Sequence, residues 1–403
     1  MKKLAISLAA LAVTAMVSAP TIAATQWNFG GRLAYKTFWT QNHSGKERLP
    51  DLQGGGKALK NDGYLDWGTQ ANTQLQIYAR ADRFKGYIEM GWDYDRNSVW
   101  TREYWGDYRF NDMLSITVGQ QHQLFSQLNN QVWGGDWDSN GIGTAFAAPT
   151  PKITINYGNF HFALSKPYDK RVRNEGGFSY KVWDSATSSY VSGFGSADIN
   201  TYIPQLQASY LYFADTWKLH LGAGYQWTQL DDIAALNGKD KNIHSWIITA
   251  EGDIDFGPLY LQLAASVGQN WSDAGWNDES SAVVDPRGTS YFNQNMGVHV
   301  YKNKLKDTTS AMIAFTAGYH LTEALRFEGG AAYRYDDNNV FHDHGNAMNF
   351  YLQAAYTIAP GFVITPEIGY IDYGKAVGNK AASVKSKDQG YLWYAGAQWA
   401  MYF

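Results

Sequence analysis

The feature that most constrains this chain is a two-residue alternation that runs almost its whole length. Between Trp217 and Leu230, Trp217, Leu219, Leu221, Ala223, Tyr225 and Trp227 alternate with Lys218, His220, Gly222, Gly224, Gln226 and Thr228. Leu259, Leu261, Leu263, Ala265 and Val267 alternate with Tyr260, Gln262, Ala264, Ser266 and Gly268 in the same way. A period of two places the two sets on opposite faces of a strand. Beyond the first two dozen residues no stretch approaches the roughly 18 consecutive apolar positions that a membrane helix needs, so a helical membrane bundle is excluded. The chain is 45% hydrophobic and 16% aromatic, with 40 Gly and only 17% charged residues, a balance foreign to helix-rich enzymes and disordered chains.

Segments with this pattern fall near 27–40, 64–81, 84–95, 100–110, 113–123, 151–157, 160–168, 201–213, 217–230, 243–256, 259–269, 308–321, 325–335, 347–358, 362–373 and 390–403, which makes 16 strands. Very short connections, such as Asp82-Arg83, Asn111-Asp112, Gly158-Asn159 and Gly257-Pro258, alternate with longer polar loops. This is the signature of an all-β, antiparallel up-and-down transmembrane barrel with short periplasmic turns and long extracellular loops, and it puts both termini in the periplasm. A water-soluble sandwich would turn its apolar stripes inward and would have no use for aromatics near so many strand ends. Here Trp39, Trp67, Trp92, Tyr94, Trp100, Tyr108, Trp217, Trp227, Trp246, Tyr333 and Tyr335 suit the two membrane interfaces.

Met1 to Ala24 reads as a secretory signal peptide, with Lys2 and Lys3 ahead of an apolar run from Leu4 to Val17 and a small-residue cleavage zone. The remainder, 25–403, reads as a single barrel. The absence of Cys removes disulfides and thiolate chemistry, and the net charge of −4 offers no footprint for nucleic acid. Eight-stranded barrels fill their interior with side chains, whereas 16 strands enclose an aqueous lumen. The polar phase carries Gln70, Asn72, Gln74, Gln76, Lys85, Glu89, Asp93, Glu103, Asp107, Thr154, Asn156, Glu251, Asp253, Arg326, Glu328, Gln353 and Glu367, as a wet interior requires.

On this strand number, on the alternation of turns and loops, on a long third loop and on the final strand Gln389 to Phe403 with its terminal Phe, the chain resembles the 16-stranded general porins of Gram-negative outer membranes. The resemblance covers nearly all of the mature chain. It implies a homotrimer in outer-membrane lipid that passes small hydrophilic solutes by diffusion, and a third loop, here 124–150, that folds into the lumen and constricts it. The loop lacks the Pro-Glu-Phe-Gly-Gly sequence of enteric porins, and Met401 stands where an aromatic is common.

A rise of about 3.3 Å per residue from the periplasmic turns puts Glu89, Glu103, Glu251 and Glu367 near mid-height. Asp136 and Asp138 join them if the third loop turns inward. Arg32 and Lys36 are the bases at that level, while Arg80, Lys85, Arg109, Lys218 and Arg326 fall near the periplasmic rim. These eight mid-level groups are the candidate constriction residues, and their balance predicts a mild cation preference and a transverse field.

Asp136, Asp138 and Asn140, followed by Gly141, match the start of a calcium-loop pattern. Ala147 stands where the closing Glu would be, so Ca²⁺ is a weak candidate ligand. Trp105, Trp133, Trp137, Tyr260 and Tyr351 could stack on pyranose faces, the basis for an alternative reading as a sugar-selective channel. Basic loop clusters at Lys170, Arg171 and Arg173 and at Lys302, Lys304 and Lys306 suit lipopolysaccharide phosphates. A barrel enzyme is disfavoured: the nine His are scattered and no Gly-x-Ser-x-Gly elbow exists.

Overall fold

A computed structural model of the chain describes residues 25–44, 63–93, 98–134, 141–168, 179–184, 189–194, 198–233, 239–276, 284–285, 289–290, 297–301, 304–339, 343–376, 387–388 and 390–403. The leader expected at 1–24 lies outside them.

The barrel strands, in chain order, are β1 (Gln26–Ser44), β2 (Gly63–Thr69 continued by Gln74–Ala81), β3 (Phe84–Asp93), β4 (Ser98–Arg109), β5 (Leu114–Gln121), β6 (Thr150–Tyr157), β7 (Phe160–Ser165), β8 (Asp198–Asn200 continued by Gln205–Phe213), β9 (Trp217–Ile233), β10 (Lys239–Phe256), β11 (Leu259–Gln269), β12 (Thr309–His320), β13 (Leu325–Asp337), β14 (Gly345–Ala359), β15 (Phe362–Asp372) and β16 (Gly390–Tyr402). Each pairs antiparallel with its neighbours in sequence, and β1 meets β16 from Arg32↔Tyr402 to Ser44↔Gly390. The result is a closed antiparallel barrel of 16 strands. Closure leaves no free sheet edge, which is what allows a sheet to sit in hydrocarbon.

The two-residue phase sorts the wall as the sequence predicts. On β9 and β11, Leu221 and Leu263 are 42% and 49% exposed on the outer face, whereas inward Gln226 is 1% exposed. Trp39, Trp67, Trp92, Tyr108, Trp217 and Tyr333 are exposed aromatics of the outer surface. Tyr94 lies outside the described residues.

Three local departures matter for the lumen. Strand β2 is broken at 70–73, where the Thr73 hydroxyl takes over a ladder position: Ala34 N donates to Thr73 Oγ1 at 3.0 Å, and that hydroxyl donates to Ala34 O at 3.0 Å. Strand β8 is interrupted at 201–204, beside Pro204, which has no N–H for a ladder. In β4 a bulge opposite Glu89 and Met90 inserts one residue, so that Glu89 pairs with Glu103 but Met90 pairs with Thr101. The bulge corrects two assignments. Arg102, which simple alternation puts against lipid, turns inward, and Trp100, expected in the interface belt, faces the lumen with its Nε1 over Gly91.

Lysine placed at Leu221 or Leu263 is expected to destabilise the inserted barrel by about 2–4 kcal/mol each, the cost of a cation on the lipid face near midplane. The same change at Gln262, one residue along and on the other phase, should cost little. Denaturant titration after refolding into liposomes checks this, and equal tolerance of both phases would contradict the orientation.

Candidate functional site

The segment after β5 turns into the barrel and runs along its inner wall. Leu124 N donates to Gln207 Oε1 on β8 at 3.0 Å, and the His220 ring of β9 donates to Leu124 O at 2.8 Å. Phe125 then crosses Gly222 of β9, where an added Cβ would stand 2.6 Å from the Phe125 Cα. Gln127 Nε2 reaches Ala250 O of β10 at 2.8 Å, Asn129 Nδ2 reaches Thr316 Oγ1 of β12 at 3.2 Å, and Asn130 Nδ2 reaches Glu328 Oε2 of β13 at 2.7 Å. Gln131 Nε2 donates to Asn349 Oδ1 of β14 and to the Tyr394 hydroxyl of β16. The amides of Val132 and Trp133 both donate to the Glu367 carboxylate of β15, at 2.9 and 3.1 Å. Gln70, at the break in β2, donates to Val132 O at 2.6 Å.

The return limb lies beside the outgoing one: Gln127 N donates to Ala145 O at 2.8 Å and Ala145 N to Gln127 Oε1 at 3.1 Å. Room for it comes from a lateral row of small inward residues, Ala264, Ala314 and Ala332, which are register partners across β11, β12 and β13. Ile142 packs on this row, and a Cβ on Gly143 would come within 2.4 Å of the Ala332 Cβ. At the far end Trp133 stacks on Tyr394 with centroids 4.7 Å apart, inside a cluster that includes Phe38, Ile371, Tyr373 and Leu392. These inward apolar residues break the polar-inside rule because the loop covers them.

A second insertion follows β11. The turn of 3₁₀ helix at Trp271–Ala274 is buried, with Gln205 Nε2 donating to Ala274 O, Gln226 Nε2 to Asp273 O, and Trp276 edge-on to Phe125 at 5.2 Å. The start of the long loop at 270–307 thus rests on the inner wall.

The sequence-predicted charges take distinct environments. Arg32 is buried and donates through Nη2 to Gln398 Oε1 at 2.7 Å. Lys36 pairs with Asp66 at 2.6 Å. Glu89 receives Tyr87 OH at 2.5 Å and Gln76 Nε2 at 3.1 Å, with Arg102 Nε 3.1 Å away. Glu103 faces the His122 ring at 3.1 Å. Glu251 lies 3.7 Å from Lys218, whose closer partner is Asp253 at 2.5 Å. Glu367 is consumed by the loop amides. Asp136, Asp138 and Asn140, and with them the calcium candidate, lie outside the described residues.

Of the saccharide candidates, Trp133 belongs to the loop and is buried against Tyr394 of the wall, and Tyr260 and Tyr351 donate to Glu328. Trp105 stays half open to the lumen, and Trp137 lies outside the described residues.

Sequence reasoning missed Arg102, Lys152, Arg334 and the full role of Glu328. Lys152 donates to His122 O, and Arg334 Nε pairs with Asp336 at 2.8 Å while reaching toward Gly141 O. Lys152 and Arg334 share the phase of Thr154 and Arg326 and were legible. Arg102 was not, although a cation in a lipid stripe is itself a sign of a phase slip.

Among solved structures, the outer membrane channel DcaP of Acinetobacter baumannii matches with a TM-score of 0.61 at 15% identity over 96% of this chain and 100% of that one. The anion-selective porin from Comamonas acidovorans matches with 0.54 at 9% identity, over 94% and 100%. The trimer form of in-vitro folded OmpT, an outer membrane protein of Vibrio cholerae, matches with 0.52 at 11% identity, over 94% and 100%. At such identities the likeness establishes the fold, that of the 16-stranded outer-membrane porins. No protein-family model matches the chain, and no curated protein is similar to it in sequence.

Glu367→Ala is expected to strand the Val132 and Trp133 amides and cost about 1–3 kcal/mol. Glu367→Gln, which keeps a carbonyl acceptor, should cost less. Protease cleavage within 124–150 should accelerate in the alanine variant. Cleavage at the wild-type rate would show that this carboxylate does not hold the loop.

Proposed function

We propose that the chain forms a water-filled channel in the outer membrane of a Gram-negative-type bacterium, through which small hydrophilic solutes and ions diffuse passively. The observation that carries this reading is the closed 16-strand barrel with an apolar outer wall and a lumen face lined by polar and charged side chains. A wall of that kind is stable only with hydrocarbon outside and water inside. The segment 124–150 serves as the constriction element, since its described parts lie along one side of the lumen and narrow the cross-section. The proposed assembly is a homotrimer in outer-membrane lipid with lipopolysaccharide at its outer rim, supported by the trimer form of the Vibrio cholerae protein of the same fold.

A mild cation preference belongs to this proposal, on a smaller set of residues than the sequence suggests. Glu89 and Glu251 are buried beside cations and Glu367 is sealed beneath the loop, so passing ions feel them weakly. Glu103 remains partly open on the lumen face. The preference therefore rests on Glu103 together with Asp136 and Asp138.

Purified protein in a planar bilayer should give stable conductance steps, and the reversal potential across a KCl gradient should lie on the cation side. Glu103→Gln should move it toward zero, while Glu89→Gln with Glu367→Gln should move it little. Absence of conductance would refute the channel, and an anion preference would refute the charge assignment alone.

A further inference from the structure

We infer that the lumen face of β2, β3 and β4 is a binding track for neutral saccharides, a reading that rests on the channel proposed above and names its solute class. Register places Tyr78, Tyr87 and Trp105 in one lateral row, paired directly across the three strands. Their rings touch in sequence, with centroids 4.6 Å apart between the tyrosines and 5.4 Å between Tyr87 and Trp105. All three share the inward phase of Gln76, Glu89 and Glu103. Two rows higher, Gln74, Gly91 and Trp100 are paired in the same manner, and the bulge in β4 is what brings Trp100 to this face. Tyr78 and Trp100 are 43% and 41% exposed although both point inward, so each offers ring surface to the lumen.

Between the two aromatic rows lies a polar one. Gln76, Tyr87 and Arg102 converge on the Glu89 carboxylate, and Glu103 faces His122. The Arg102 guanidinium also sits over the Trp100 ring, 5.7 Å from its centroid, covering part of one face and fixing the indole. Gly91 is required here: a Cβ would stand 2.6 Å from the Arg102 Cδ and 3.2 Å from the Trp100 Nε1.

The spacing and chemistry select the ligand. The two rows, set by Tyr87 and Gly91 four residues apart on β3, are separated by about 13 Å, with hydrogen-bonding groups between them. Pyranoses present apolar C–H faces to aromatic rings and hydroxyls at their edges, so a short oligosaccharide can stack at both ends and bond in the middle. Glu89 is balanced by Arg102, and Glu103, partly open beside His122, leaves a hydrogen-bond acceptor for the hydroxyls of a neutral solute. An apolar solute would leave that row unsolvated, and a simple ion would gain nothing from the rings. The loop latches described above lie on β8 to β16 and at Gln70, which leaves the lower lumen face of β2 to β4 outside them.

The test is current block in a planar bilayer by maltotriose, sucrose and raffinose. The wild-type channel should show saturable block by at least one of them. Trp100→Ala and Trp105→Ala should each raise the half-blocking concentration about tenfold, the loss of one stacked ring. Trp100→Phe should keep most of the block, and Trp217→Ala on the outer face should behave as wild type. Each variant's conductance in KCl shows that it has assembled. Conductance insensitive to all three sugars, or block unchanged in both alanine variants, would overturn the track while leaving the channel standing. No conductance from the wild type would overturn both.

Discussion

Everything in this molecule depends on the fixed phase of its strands between hydrocarbon and water. In lipid no backbone N–H or C=O can be left unpaired, so the sheet must close, and closure through β1 and β16 commits every residue to one of two solvents. A slip of one residue exchanges the two sets at once. That is why the single bulge in β4 has such a local yet chemical consequence. It reverses the phase above Glu103, brings Arg102 to Glu89 and Trp100 to the lumen, and leaves Val99 and Thr101 to continue the outer stripe.

Once the wall is closed, the lumen has a second problem to solve, because a loop that enters it carries its own backbone polar groups. The third loop answers with donors and acceptors at almost every step. Its side-chain amides, Gln127, Asn129, Asn130 and Gln131, reach wall carbonyls, hydroxyls and carboxylates, while the wall reaches back through Gln70, His220 and Gln353. Apolar contact supplies the rest, through the alanine row and the Trp133–Tyr394 stack. The combination is that of an ordinary protein core placed inside a barrel, polar groups bonded and apolar groups covered.

Strand number and, apart from the slip in β4, lumen phase were legible because the period-two pattern recurs over so many segments. The break at 70–73 was invisible: Gln70, Asn72 and Gln74 keep the polar phase on both sides of it, and only the Thr73 hydroxyl marks the place where a side chain substitutes for the ladder. The charge map failed for a different reason. Height along a strand says which acids share a level, but whether a carboxylate meets water or a loop amide depends on a segment distant in sequence. Glu367 and Glu328 read as pore charges and serve instead as acceptors for Val132, Trp133 and Asn130. The alanines at 264, 314 and 332 were the available clue, since small inward residues at one level leave room that something must fill.

Small inward residues also decide how the lumen divides its labour. A wall lined with alanine and latched by amides cannot also present a solute surface, because its groups are already paired. A solute surface needs side chains that are rigid without being covered. On β2 to β4 the rigidity comes from within the wall, since Tyr87 is held by Glu89 and Trp100 by Arg102, with no loop needed on top. The bulge makes this possible by adding an inward side chain to β4 without lengthening the barrel. Loop anchoring and the proposed solute surface therefore draw on different stretches of one wall that meet at β2, and the bulge in β4 lies on the stretch where recognition is proposed.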